Sequence, residues 1–195
     1  MNVSLDVLVG VLVDERHRLS ERLPDTFPLH IVSDADGSVI CGVAPSRGAS
    51  ESELQAAEKV LNRHYPFELR ELLAFTNGWP DAGAGLDILG TKGVGIRPGI
   101  PGYPSTYPET TWGLARESLE VMFDEAQNML TEQLEIDDCI PVTASPVTGD
   151  FHFIVSEAPG RDISGRVYAF EQGTLEPVGS VSDLIVQIID TVKNL

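Results

Sequence analysis

The chain has few basic residues, few cysteines and few histidines, and each shortage narrows what it can do. Its 195 residues carry 13 Lys and Arg against 30 Asp and Glu, a net charge of −17. Such a field repels phosphate backbones and anionic lipid, so nucleic acid and membrane are not expected as direct ligands. It attracts basic surfaces and speeds their encounter. The two cysteines, Cys41 and Cys139, lie far apart in sequence and form no Cys-x-x-Cys pair. Zinc is therefore not expected, and a reduced, cytoplasmic setting is the simpler reading. Long apolar runs are also missing. Val7 to Val13 is apolar, but it lacks a basic leader, is followed by Asp14 and Glu15, and is too short to cross a bilayer. What the chain does have is an apolar content of 42%, enough to exclude disorder of the whole and to build one core plus a small annex.

Residues 1–23 fit two periodicities. Leu5, Leu8, Val9, Leu12, Leu19 and Leu23 mark a helical face, while Val3 to Val13 also alternates like a strand. The charged stretch that follows favours helix. Leu29–Ser33 and Ser38–Val43 alternate around Asp34-Ala35-Asp36-Gly37, which predicts a hairpin. Ser50 and Glu53 form a capping box before a helical pattern in which Leu54, Ala57, Val60 or Leu61, and His64 share the inner face. Pro66 opens a second helix with Leu69, Leu72, Leu73 and Thr76 on its core stripe, and Asn77-Gly78 is expected to end it as a left-handed cap.

Beyond this point Leu86–Leu89 reads as a short strand, and the Gly- and Pro-rich residues 90–112 as a long loop. A long helix is expected at about 114–134. Strands follow at Ile140–Ala144, Phe151–Ser156 and Arg166–Phe170, and a last helix is capped by Ser182, with Leu184, Ile185, Ile188, Ile189 and Val192 as its stripe.

Three segments carry a family resemblance. Ser50–Gly78 combines an acidic first helix, a Tyr65-Pro66 step and an Asn-Gly end. Thr148–Ile154 holds a Gly-Asp-aromatic strand. Gly165–Tyr168 gives a Val-Tyr strand, closed by Val178-Gly179-Ser180 and the last helix. In this order they resemble the SUKH superfamily, which includes fungal cell-wall-assembly regulators and bacterial immunity proteins. The resemblance covers roughly 50–193. Tyr65 stands where the family usually has Leu. The resemblance implies an α+β fold with a mixed or antiparallel sheet packed with helices. Residues 49–195 would form the domain, and residues 1–48 an N-terminal extension of helix and hairpin on or beside it. It further implies binding without catalysis or cofactor. Bacterial members typically neutralise a toxin, often a nuclease, encoded beside them. The fungal members offer the alternative of a regulatory or scaffolding adaptor.

Charge is unevenly placed. Residues 114–138 hold Glu117, Glu120, Asp124, Glu125, Glu132, Glu135, Asp137 and Asp138 against one base, Arg116. Glu117, Glu120 and Asp124 repel one another by about 0.2–0.5 kcal/mol per pair, with no basic partner a turn away. One reading is a surface that mimics nucleic-acid charge and covers a basic toxin cleft; the other is a solvated helix face. Further candidate contacts are Trp79 with Asp81, and Glu157 with Asp162 in a charged loop. A Trp at a loop tip anchors partners well, although closing the end of the core is the preferred role for this one.

Chemistry finds little support. Gly90 to Gly95 lacks the Gly-Lys-Ser/Thr of a phosphate loop and no helix follows it directly. Asp150 and His152 share a strand face, but no further ligand lies nearby in sequence, so an exposed His is expected there. Cys139 is not set at a helix N-terminus or a Gly-rich elbow. No catalytic, metal or cofactor residues are assigned, and the expected ligand is a basic protein.

Overall fold

The computed structural model describes residues 3–23, 31–33, 39–41, 45–83, 85–91, 134–145, 148–156, 162–171 and 174–195. The expected loop 90–112, from residue 92 on, and the expected helix 114–134, up to residue 133, lie outside the described residues.

Helix α1 spans Leu5–Arg22. The β-branched alternation yields here because the helix buries one stripe, Leu5, Val9, Leu12, Arg16 and Leu19. Tertiary packing overrides local propensity. The hairpin strands β1 (Ile31–Ser33) and β2 (Val39–Cys41) pair antiparallel as a separate two-stranded sheet. Helix α2 (Glu51–Leu61) has the expected capping box: Ser50 Oγ accepts from the Glu53 N–H, and Glu53 Oε2 accepts from the Ser50 N–H at 2.7 Å. It ends at Asn62, whose φ of 54° lies in the left-handed region. His64 consequently sits past the helix and is 84% exposed, not on an inner face. Glu58 is buried in α2 instead.

Helix α3 spans Phe67–Phe75 and buries Leu69, Leu72 and Leu73. Its C-cap is Thr76 in extended backbone, so Asn77-Gly78 is not the left-handed cap itself. Asn77 Oδ1 instead accepts from the Thr91 N–H at 2.6 Å and the Thr91 hydroxyl at 2.9 Å. Gly78, with φ 98°, turns the chain into a strand.

That strand, β3 (Trp79–Gly83), begins a six-stranded antiparallel sheet in the order β3-β4-β5-β6-β7-β8. The others are β4 (Leu86–Ile88), β5 (Cys139–Ala144), β6 (Phe151–Val155), β7 (Val167–Glu171) and β8 (Thr174–Gly179). Among the described residues each strand of this sheet pairs antiparallel with the next, as in a meander. A final helix, α4, spans Val181–Asn194. The fold is α+β.

Residues in β5 and β6 are buried throughout, so the sheet is covered on both faces. On one face Ile88, Ile140, Val142, Ile154 and Val167 join the buried stripes of α1, α3 and α4 in one core. On the other, Phe151 stacks on Phe170 at 5.2 Å and Phe153 on Tyr168 at 5.5 Å between ring centroids. Helix α1 packs chiefly against α4 and also meets α3 and β3, so it is integral to the first core. A close approach explains one glycine: a Cβ at Gly83 would lie 2.7 Å from methyls of both Ile188 and Val192 on α4.

The cap of α4 is Ser180, not Ser182. Ser180 Oγ accepts from the Asp183 N–H at 3.1 Å, and Asp183 Oδ2 accepts from the Ser180 N–H at 2.8 Å. Ser182 lies inside the first turn, and its N–H donates to Glu68 Oε2 at 3.2 Å. Ser180→Ala is therefore expected to lower stability by about 1 kcal/mol in urea unfolding. Ser182→Ala should stay within about 0.5 kcal/mol of the parent. Equal effects of the two would refute the assignment of the cap.

Candidate functional site

Two surface features and one buried polar cluster stand out in the fold. The first surface lies at one end of the sheet. A single 3-10 turn, Ile136–Asp138, leads into β5 and presents Glu135 and Asp137 to solvent. Asp138 is half-buried, with Arg63 Nε 3.7 Å from its carboxylate; the same nitrogen donates to the Asp137 carbonyl at 3.0 Å. The Ser156 N–H donates to the Asp138 carbonyl at 2.7 Å, and the Ser156 carbonyl accepts from the Ser164 hydroxyl at 2.9 Å. These bonds bring the turn that holds exposed Asp162 beside the acidic turn. The sheet thus gathers Glu135, Asp137, Asp138 and Asp162 where β5 begins, β6 ends and β7 begins. Among the described residues, Arg166, whose guanidinium donates to the Asp162 carbonyl at 3.0 Å, is a base on the Asp162 side.

The remaining sequence candidates separate from this group. Glu117, Glu120, Asp124 and Glu157 lie outside the described residues. Trp79 is fully buried in the first core, so its ring closes the core and offers no area to a partner. Asp81 takes a φ of 48° and accepts from buried Arg16 at 2.9 Å, a structural ion pair between β3 and α1.

The second surface is a groove of about 860 Å³ between the start of α1, the outer side of α3 and the start of α4. Phe67, 74% exposed, and Phe75, 43% exposed, stand along it together with Val3 and Val186. Asp6, Glu68, Glu71 and Asp183 also line it, and among the described residues no Lys, Arg or His does. Sequence reasoning missed this groove. The signal was available: Phe67, Glu71 and Phe75 are spaced by four along α3, on the side away from its Leu69, Leu72 and Leu73 stripe.

The buried cluster lies at the opposite end of β5 and β6 from the acidic turn. His152 is buried, contrary to the exposed position expected for it, because both faces of β6 are covered. Its Nδ1 lies 2.7 Å from the Thr143 hydroxyl and its Nε2 lies 3.6 Å from Glu171. Desolvation lowers its pKa to about 4, against a smaller opposing pull from Asp150. The ring is neutral at pH 7, so its approach to Glu171 is not an ion pair. Glu171 is itself raised, first by desolvation and then by Asp150 and Glu176.

This cluster has no partner nucleophile in Cys139. Cys139 pairs with Val155, three residues along β6 from His152, which is roughly 10 Å at strand spacing. Its thiol belongs to the opposite, aromatic face of the sheet and donates to the Glu135 carbonyl. Among the described residues, no three His, Cys, Asp or Glu side chains are grouped to hold a metal ion. No helix among them is long and apolar enough to cross a membrane.

No protein-family model matches the chain, and no curated protein matches it. The two surfaces and their charge therefore carry the functional reading.

Proposed function

We propose that this chain is a non-catalytic protein-binding module that holds a basic protein. Its SUKH-like motif order suggests an immunity protein that neutralises a toxin domain of nuclease type, made beside it. The carrying observation is the convergence of Glu135, Asp137, Asp138 and Asp162 at one end of the sheet, in a chain of net charge −17. A cleft that binds phosphates must be positive, so an acidic surface gains both steering and complementarity against it. Arg63 and Arg166 answer part of that charge locally, and Glu135 and Asp137 stand at exposed positions of the same turn. A regulatory or scaffolding adaptor would use residues 1–48 as a docking arm. Helix α1 packs its stripe into the core, which leaves that alternative without an observation of its own.

The test uses the protein encoded by the neighbouring gene. A one-to-one complex is expected, and its association rate constant should fall at least roughly tenfold between about 0.01 M and 1 M salt. Reversing Glu135 and Asp137 to Lys should slow association further at low salt. A complex that forms at a salt-independent rate, or no complex and no relief of toxicity, sinks the proposal.

A further inference from the structure

We infer that the groove between α1, α3 and α4 is a docking site for an amphipathic helix of a partner protein, with apolar anchors flanked by Lys or Arg. The inference rests on reading the chain as a protein-binding module and names a surface that reading does not.

The first reason is the placement of aromatics. A small-molecule pocket turns its aromatic lining inward. Here Phe67 and Phe75 stand outward, with Val3 and Val186 beside them, in an apolar strip with a polar rim. Such strips mark interaction surfaces. Phe67 and Phe75 are two turns apart on one helix, about 12 Å along its axis. A second helix laid along α3 offers anchors at the same repeat, from positions i, i+4 and i+7 or i+8.

The second reason is charge. Four carboxylates line the groove, and among the described residues no basic side chain does. Three helix N-termini also point there, those of α1, α3 and α4, and each contributes roughly half a positive charge. Their sum offsets less than half of the four carboxylates. Glu68 already receives the Ser182 N–H, Asp183 closes the Ser180 cap, and the Ser4 side chain bonds to Asp6. Carboxylates already serve the starts of α1 and α4, which disfavours an added anion there. Glu71 sits exposed between the two phenylalanines on the same side of α3. The rim keeps an excess of negative charge, and a helix flanked by Lys or Arg matches it. A second copy of this chain would instead bring one acidic rim against another.

The test uses the full chain and a synthetic peptide of about 18 residues, long enough to form a helix. Its Leu residues repeat at i, i+3, i+4 and i+7, and the other positions are Lys. A counterpart carries Glu in place of Lys. Binding is read by fluorescence anisotropy at about 0.15 M salt. The Lys peptide is expected to bind and the Glu peptide not to bind. Phe67→Ser with Phe75→Ser, both at exposed positions and checked by circular dichroism, should weaken the Lys peptide at least roughly tenfold. Asp14→Lys with Asp190→Lys should change it by less than about twofold, since those exposed residues lie outside the groove and away from the acidic turn. No binding, or equal binding to the parent and the double Phe variant, overturns the inference. A parent dimer in sedimentation that becomes monomeric in the double Phe variant assigns the groove to a second copy and also overturns it. If the neighbouring-gene protein binds the double Phe variant unchanged, the groove is wrong and the proposed function stands. If that protein does not bind at all while the Lys peptide seats at Phe67 and Phe75, the toxin reading is wrong and the groove stands.

Discussion

Asp81→Asn is expected to lower the free energy of unfolding by about 3 kcal/mol, more than Arg16→Met does. The Arg16 guanidinium is only 1% exposed and lies 2.9 Å from Asp81, which is 24% exposed. The pair joins α1 to β3 across 65 residues of sequence. Asn keeps the shape of the Asp side chain. It tolerates the left-handed backbone at φ 48° and can still accept from the Gly85 N–H, now bonded to Asp81 Oδ1 at 3.1 Å. The substitution therefore removes a charge and little else.

The asymmetry is the informative part. Arginine does not give up its proton inside a protein. With Asn at 81, the buried guanidinium loses a carboxylate at 2.9 Å that offsets part of its desolvation. With Met at 16, an apolar chain fills similar space, and the carboxylate left behind can still reach water. Urea unfolding of both variants, followed by tryptophan fluorescence, measures the difference. If Arg16→Met costs as much as Asp81→Asn or more, the ion pair is not what ties α1 to the sheet.

That pair also shows where the sequence was readable and where it was not. Local patterns identified the α2 cap at Ser50 and Glu53, the β1–β2 pairing, and the strands β4 to β7 to within a residue or two. They missed β3 because Trp79-Pro80-Asp81 has the composition of a turn. Proline lacks the ladder donor, but β3 lies at the edge of the sheet among the described residues, where that loss is tolerated. Periodicity reports which side of an element is apolar, not what lies against it. Arg16 looked like part of a charged stretch because its partner is distant in sequence. Glu58 is charged yet buried, and its carboxylate accepts from Arg70 at 2.7 Å and the Tyr65 N–H at 3.0 Å, partners that periodicity does not reveal. On the candidate site, sequence clustering singled out Glu135, Asp137 and Asp138 together with Glu117, Glu120 and Asp124, which lie outside the described residues, and named Asp162 separately; the sheet brings Asp162 beside the first three. The groove escaped because Phe67 and Phe75 lie off the core stripe of α3, where an amphipathic reading expects polar residues.

His152 makes the second large effect, and it is one of pH. Its folded-state pKa is lowered to about 4 from an ordinary 6.5. Between those values the unfolded chain binds a proton that the folded chain does not, so stability rises with pH across this window and is lost as pH falls through it. About 2.5 pH units at roughly 1.36 kcal/mol each gives a loss of about 3 kcal/mol by pH 4, with little further loss below. Glu171 acts in the opposite sense. Its folded pKa is raised, so its contribution is present at low pH and fades as pH climbs past the unfolded carboxylate value. It therefore offsets part of the His152 loss in the parent. The comparison that isolates the histidine is His152→Gln, which stays neutral and can still bond the Thr143 hydroxyl. His17, His30, His64 and the carboxylates largely cancel between the two proteins. Urea unfolding from pH 7 to pH 4 is expected to show the parent losing about 3 kcal/mol relative to the variant. Parallel stability profiles, or a His152 ring that titrates near 6.5 by NMR, would mean that the ring is hydrated and that the polar end of this sheet face is open to water.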